Sequence, residues 1–124
     1  MTLEQQRAAL AFEHVQSVGE DHQKTYGSMA QKLPALIRSA GLCQALHFVK
    51  SRKKPALDTL LSHLAEQLRR RMDEGITDAD SLCKIVREAK LSQYLWFTRE
   101  ALATVTWYSR LSRAEWGVLT DGED

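Results

Sequence analysis

The sequence predicts an all-α protein: a single compact bundle of about six helices with short connections. Three observations predict this fold class. Apolar residues recur at intervals of three and four, whereas the strict alternation typical of a half-buried strand fits almost nowhere. Only two prolines and six glycines interrupt the chain. A length of 124 residues suits one domain with a sizeable core. We expect that domain to span residues 1–116.

A capping pattern predicts the first helix. Thr2 and Gln5 have the spacing of a capping box, in which each side chain bonds the backbone of the other residue. Gly19 and the polar residues after it end the helix. The face that we expect to be buried carries Ala8, Ala11, Phe12, Val15 and Val18.

The second helix is predicted from a similar pattern and from two helix breakers. Ser28 and Gln31 repeat the capping-box spacing and place its start just after Gly27. Pro34 lies inside it, and because proline removes a backbone donor, we expect a kink or a new start there. Gly41 is suited to end the helix in a left-handed conformation.

The third and fourth helices meet at a basic turn. The third follows Gly41 at once, through Leu42, Ala45, Leu46 and Val49, and ends in the stretch KSRKK. Pro55 suits the first turn of the fourth helix, which Gly75 closes. Its apolar stripe is the clearest in the chain and comprises Leu57, Leu60, Leu61, Leu64, Leu68 and Met72.

The last two helices complete the predicted bundle. Thr77 and Asp80 form a third capping-box pattern, and Ser92 is expected to cap a long final helix. By their spacing, Tyr94, Leu95 and Tyr108 belong to the core. Trp96 and Phe97 widen the apolar stripe beyond one face, so one of them is a candidate for exposure at a partner interface. Residues 117–124 are predicted to be an acidic flexible tail.

Charge is distributed unevenly along a chain whose net charge is only +1. Residues 24–72 contain ten basic residues against two acidic ones, a net charge of +8. The flanking segments, residues 1–23 and 73–124, carry net charges of −3 and −4. Such asymmetry favours a polyanionic partner such as nucleic acid, although a solvated basic face has the same composition. Cys43 and Cys83 form no CxxC pair, which fits reduced thiols in the cytoplasm, and no apolar run is long enough for a membrane span.

The basic residues are the candidate functional residues, for contacts to nucleic-acid phosphates. Four lie at the end of the third helix and in the turn after it, and Arg69 and Arg70 lie at the end of the fourth, where Arg71 faces closest to the apolar stripe. A C-terminal helix dipole explains one or two of these cations without a ligand. The candidates are Lys50, Arg52, Lys53, Lys54, Arg69 and Arg70, with Lys32 and Arg38 as secondary candidates because they flank Pro34.

Catalytic and metal sites find little support in the sequence. The glycines do not have the spacing of a phosphate loop. Cys43 and His47 share a helix face, but no orienting carboxylate lies near them in sequence, and a buried free cysteine is usually a small apolar residue. His63 and Glu66 also share a face, yet a carboxylate-bridged metal site in a bundle needs several such sets. We therefore expect no catalytic residue, no metal and no cofactor.

Two separated stretches together carry a resemblance to a known family. The first reads YGSMAQKLPALIRSAGLCQALHFVKSRKK, and the second reads YLWFTREALATVTWYSRL. In this order they resemble the small helical subunit of type III-B CRISPR effectors, the fifth subunit of the Cmr complex. The resemblance covers about Arg7 to about Leu111, nearly the whole chain.

The resemblance implies an all-helical protein without catalytic chemistry of its own. Members of that family stack into an inner filament beside the backbone subunits of the complex, along the channel that holds guide RNA and target RNA. The implied partners are the backbone subunits, the large polymerase-like subunit, a second copy of the small subunit, and the two RNAs, with no membrane.

Two other functions compete with this interpretation. Residues 28–53 could form the helix-turn-helix of a stand-alone DNA-binding regulator, with Gly41 in the turn. Its second helix is largely apolar, which leaves few side chains to contact base edges. A small enzyme that uses Cys43 or a histidine is the other alternative.

Overall fold

Residues 1–119, the part of the chain that our computed structural model describes, form six α-helices and a short 3-10 helix. The helices are α1 (Leu3–Gln16), α2 (Gln23–Ala40), α3 (Leu42–Ser51), α4 (Pro55–Arg71), α5 (Ala79–Glu88) and α6 (Leu91–Trp116), and the 3-10 helix is Glu20–His22. No strand occurs among these residues. The predicted all-α bundle is confirmed.

The core lies between the long helices α2, α4 and α6. Helix α6 packs along α2 and α1, and α4 contacts every other α-helix of the described chain. The predicted stripe of α4 is buried from Leu57 to Leu68, whereas Met72 is partly exposed. Because each fully buried leucine contributes roughly 1.5–3 kcal/mol relative to an exposed one, this stripe is a major source of stability.

Helix α2 begins at Gln23, before the predicted start at Ser28. The prediction that Ser28 caps a helix is wrong: Ser28 and Gly27 are buried inside α2. A Cβ at Gly27 would lie 3.1 Å from the Val118 side chain and 3.2 Å from that of Ser112, so the small residue allows close approach of the α6 end. The helix continues through Pro34 and does not restart, since buried Leu33 and Ile37 hold both halves on the core.

Gly41 ends α2 and precedes α3, as predicted, although its ψ of 156° lies outside the left-handed helical region that we expected. Its φ is +91°, which disfavours residues with a Cβ, and its N–H donates to the Ile37 carbonyl at 2.9 Å. A Cβ here would also lie 3.3 Å from the hydroxyl of Tyr94. The hydroxyl itself accepts the N–H of Cys43 at 3.0 Å, which ties the start of α3 to α6.

The capping predictions have mixed outcomes. The Thr2–Gln5 box is confirmed. At α5 the box is formed by Asp78 and Ser81, one residue after the predicted pair, because the Asp78 carboxylate accepts the Ser81 N–H at 2.8 Å. Ser92 does not cap α6, which begins at Leu91 with Lys90 at the N-cap. The end of α4 is Arg71, ahead of Gly75.

Two residues predicted to face the core are exposed. Phe12 lies on the outer side of α1, where Leu10 and Ala11 supply the buried contacts, and Leu95 is 59% exposed on α6. Of the neighbouring pair, Phe97 is buried and Trp96 is 58% exposed, so the predicted exposure of one of them is confirmed.

The predicted tail begins at residue 117, and its residues 120–124 lie outside the described part of the chain. Within residues 117–119, the Val118 carbonyl accepts a hydrogen bond from Gln31 Nε2 at 2.6 Å. Between residues 1 and 119, no helix combines the length and the apolar character needed to cross a membrane.

A charged network that no sequence pattern predicted joins α1, α4 and α6. Glu100 accepts hydrogen bonds from Arg7 at 2.7 and 2.8 Å and from Arg71 Nε at 2.8 Å, and all three side chains are largely buried. Thr104 Oγ1 donates to the same carboxylate at 3.1 Å. Burial raises the pKa of Glu100, but the hydrogen bond from Arg7 and the charge of Arg71 outweigh it and hold the pKa below its usual value.

A second network joins α1, α2, α4 and α6 through stacked histidine rings. The rings of His14 and His63 lie 4.0 Å apart between centroids and are nearly parallel. His14 Nδ1 lies 2.7 Å from the Tyr108 hydroxyl and its Nε2 lies 2.9 Å from Glu66, while His63 Nδ1 lies 2.8 Å from the Tyr26 hydroxyl. Burial, with the charge of neighbouring His14, lowers the pKa of His63 to about 3.

Candidate nucleic-acid interface

The turn between α3 and α4 presents a run of cations. Helix α3 ends at Ser51, and Lys53 then adopts a φ of +53°, a left-handed conformation that is uncommon for a residue with a Cβ. Lys54 is extended and leads into Pro55. Lys53 and Lys54 are exposed and Arg52 is partly exposed, so three positive side chains leave the turn within reach of a ligand.

Part of this turn faces the beginning of α2 across a groove of about 220 Å³. We call it the basic groove; it is lined by Lys24, Thr25, Met29, Arg52, Lys54 and Leu57. Three cations from two separate segments meet there, and no carboxylate is among the lining residues of the described chain. The groove therefore has the positive charge that attracts phosphate.

Lys24 is the cation of this groove that the sequence did not single out. It contributes to the +8 segment, but no local pattern distinguishes it from other lysines. Only the packing of α2 beside the α3–α4 turn brings it to Arg52 and Lys54. Predicting Lys24 as a groove residue would have required knowledge of which helices are neighbours.

Lys50 differs from the other cations of the turn because Asp80 of α5 pairs with it. The hydrogen bond to Asp80 raises the pKa of the Lys50 ammonium. Lys50 and Lys53 line a more open groove together with His47, Ser51 and Asp58. Asp58 in the lining of this second groove and Asp80 beside Lys50 reduce its attraction for phosphate relative to the basic groove.

The arginines at the end of α4 do not join this surface. Helix α4 has 17 residues and separates them from the α3–α4 turn by about 25 Å along its axis. Arg69 is exposed, Arg70 donates to Glu66 at 2.6 Å, and Arg71 turns inward to Glu100. The direction of Arg71, towards the apolar stripe, agrees with the expectation from its spacing.

The secondary candidates lie on α2. Lys32 borders an apolar groove of about 400 Å³ whose lining includes Met29 and Phe48. Met29 also lines the basic groove, and the Arg52 guanidinium lies 5.8 Å from the centre of the Phe48 ring, so the two grooves are contiguous. Arg38 is exposed in the last turn of the helix.

The alternative functions find less support in this arrangement. The helix that a helix-turn-helix would use for base recognition is α3, and it buries Leu42, Ala45, Leu46 and Val49. His47 lies 3.4 Å from Arg87, and the Cys43 N–H is bonded to Tyr94. Neither contact gives Cys43 an activating base.

Comparisons with known proteins agree with the fold and with one another. Residues 3–115 match the family described as CRISPR-associated protein (Cas_Cmr5). A curated relative from Thermus thermophilus, "CRISPR system Cmr subunit Cmr5", is 43% identical over 108 residues, which are 86% of this chain and 90% of that protein. A crystal structure of a CRISPR-associated Cmr5 family protein, also from Thermus thermophilus, has a TM-score of 0.81 at 42% identity, covering 92% of this chain and 97% of the other. The chain belongs to the Cmr5 family of CRISPR-associated proteins.

Proposed function

We propose that this chain is a non-catalytic small subunit of a type III-B CRISPR complex, which targets RNA in antiviral defence. In this complex the chain contacts the RNA backbone through the basic groove and the α3–α4 turn. The observation that carries the proposal is the meeting of Lys24, Arg52 and Lys54 around one groove without a lining carboxylate. Membership of the Cmr5 family supports the assignment of the chain to this complex.

The chemistry of the groove favours phosphate over base recognition. Ammonium and guanidinium groups donate hydrogen bonds and accept none, so they suit phosphate oxygens. Such contacts bind RNA without reading its sequence and weaken as salt increases. This is the behaviour required of a subunit that serves guides and targets of any sequence.

The proposal places the chain in the inner filament of the complex, in the cytoplasm. Its protein partners would be the backbone subunits, the large polymerase-like subunit and a second copy of the small subunit, and its RNA partners the guide and the target. The name of the curated relative, a subunit of the Cmr system, supports association with Cmr subunits, and the position in the filament is what the family resemblance implies.

Alanine at Arg52, Lys53 and Lys54 is expected to weaken RNA binding by the reconstituted complex. If all three contact a single strand, the slope of log K against log salt decreases in magnitude by about 2, since each contact contributes about 0.7. Filter binding or fluorescence anisotropy over a salt titration measures this slope. Lys24→Ala should weaken binding further.

A matched control removes the same charge elsewhere. Lys84, Lys90 and Arg113 are cations on α5, before α6 and near the end of α6, outside both grooves of the α3–α4 turn. Their triple alanine variant should retain the salt-dependence slope of the parent. Equal slopes for the parent, the variant of the α3–α4 turn and this control would refute the assignment.

Lys53→Gly tests the turn at a single site, because glycine accepts the φ of +53° while the charge is lost. We expect weaker RNA binding without lower stability.

A further inference from the structure

Helix α6 carries a repeated tetrapeptide. Residues 96–99 read WFTR and residues 107–110 read WYSR: a tryptophan, a second aromatic residue, a hydroxyl residue and an arginine. Eleven residues make slightly more than three helical turns, so both copies face the same side of α6, about 16 Å apart. The second aromatic residues, Phe97 and Tyr108, are buried in the core.

The Trp96–Arg99 pair of the repeat lies outside the core, whereas Trp107 of the second pair is partly buried against it. The Arg99 guanidinium is 5.0 Å from the centre of the Trp96 ring, and that of Arg110 is 5.9 Å from the Trp107 ring. Trp96 is 58% exposed. Trp and Arg are among the residues most enriched at the positions that dominate the energy of protein interfaces.

These pairs belong to a stripe with the spacing of a helix-packing face. Trp96, Arg99, Ala103, Trp107 and Arg110 follow one another at intervals of three and four residues. This is a second stripe, beside the one that buries Phe97 and Tyr108. Ala103 at its middle is small, which allows the backbone of another helix to come close.

Further apolar surface and a cleft adjoin Trp96. Leu91 is 73% exposed and Leu95 is 59% exposed in the first turns of α6. On the other side, a cleft of about 280 Å³ lies between α1, α4 and α6. Its lining combines Leu3, Met72 and Trp96 with Arg7, Arg71, Arg99 and Glu100. Three arginines against one glutamate give this lining a net positive charge.

We propose that this surface of α6, which we call the tryptophan–arginine face, docks an amphipathic helix of another protein subunit, an inference that rests on the proposed role as a subunit of the complex. An apolar side chain of that helix lies against Trp96, and its carboxylates pair with Arg99 and Arg110. The charge of the face selects an acidic partner helix. A symmetric contact between two copies of the chain would pair this stripe with itself, and the stripe contains no carboxylate to pair with Arg99 or Arg110. RNA fits less well, because the exposed leucines offer nothing to phosphates and Trp107 Nε1 already donates to the Glu4 carboxylate at 3.1 Å.

The double variant Trp96→Ala/Arg99→Glu tests the proposal in a complex reconstituted from purified Cmr subunits and guide RNA. We expect its association with the complex to weaken by at least about tenfold, measured by native mass spectrometry over a concentration series. Neither residue belongs to the buried core, so the thermal unfolding midpoint should remain close to that of the parent. Lys84→Glu makes the same charge change as Arg99→Glu at an exposed position of α5, and the variant should associate normally.

A photo-crosslinker at Leu95 identifies the occupant in the same reconstituted complex. The expected adduct maps to a helix of a different protein subunit with carboxylates at helical spacing around an apolar residue. Reversing one of those carboxylates to lysine should then restore binding of Arg99→Glu. An adduct on RNA, an adduct on a second copy of this chain, or normal association of the double variant would each overturn the proposal. The RNA-binding variants of the α3–α4 turn should incorporate normally, which separates this test from that of RNA contact.

Discussion

Glu100→Gln is expected to destabilise the protein by about 3 to 5 kcal/mol, the usual cost of removing one partner from a buried ion pair. Glu100 is the carboxylate shared by Arg7 and Arg71. The substitution leaves the largely buried Arg71 without a counter-charge and leaves Arg7 with only the exposed Glu4 carboxylate, 3.9 Å away. Urea unfolding near neutral pH, followed by circular dichroism, measures the loss. Glu88→Gln, at an exposed position of α5, should change stability by less than about 0.5 kcal/mol.

A triple replacement separates the cost of unpaired charge from the value of the network. Arg7→Met, Glu100→Leu and Arg71→Met together remove every charge of the cluster and keep most of its volume. Since apolar replacements of buried ion clusters are often neutral or stabilising, the triple variant should recover most of the stability that Glu100→Gln loses. A Glu100→Gln variant as stable as the parent, to within about 1 kcal/mol, would show that the two arginines reach water on their own.

Stability is expected to fall by about 2 kcal/mol between about pH 7.5 and about pH 5 because of His63. The pKa of His63 is about 3 in the folded state against an ordinary value of 6.5. Between these values the unfolded chain binds the proton that the folded chain excludes. The contribution of His63 to stability is therefore complete above about pH 7.5 and declines as the pH falls. The hydrogen bond from His14 lowers the pKa of Glu66, whose contribution is lost only below about pH 4.5.

His63→Phe isolates this contribution. The ring can still stack on His14, but it does not titrate, so the loss of stability on acidification should largely disappear. The Tyr26 hydroxyl loses its partner in this variant, which lowers stability at every pH by about 1–3 kcal/mol. His22→Gln, at a position away from this network, keeps His63 and should therefore keep the parent slope. Equal slopes in parent and His63→Phe would contradict the assignment.

The helices were predictable because their signals are local. The leucines of α4 repeat at helical spacing, and Thr2 and Gln5 cap α1 from three residues apart. Ser28 shows the limit of such signals. Its spacing to Gln31 is that of a cap, yet small residues at positions 27 and 28 are also what close packing of α2 against α6 requires. Sequence spacing alone does not distinguish the two.

The candidate site was predictable only in part, because charge is local but grouping is not. The cations of the α3–α4 turn are evident as a run in the sequence. Lys24, which reaches the same groove from α2, was missed, and Arg69 and Arg70 were grouped with residues at the opposite end of α4. Spacing placed Arg71 near the core but could not supply Glu100, whose carboxylate comes from α6.

The stacked histidines also determine how the bundle is aligned. Leucine stripes tolerate sliding by one helical turn, about 5.4 Å, because one leucine replaces another. The hydrogen bonds of His14, Tyr26, His63 and Tyr108 do not, since each group has its partner on a different helix. A slipped arrangement would bury these groups unpaired, at about 1–3 kcal/mol each. These four hydrogen-bonded side chains thus select one alignment of the helices among several that the apolar core alone would accept.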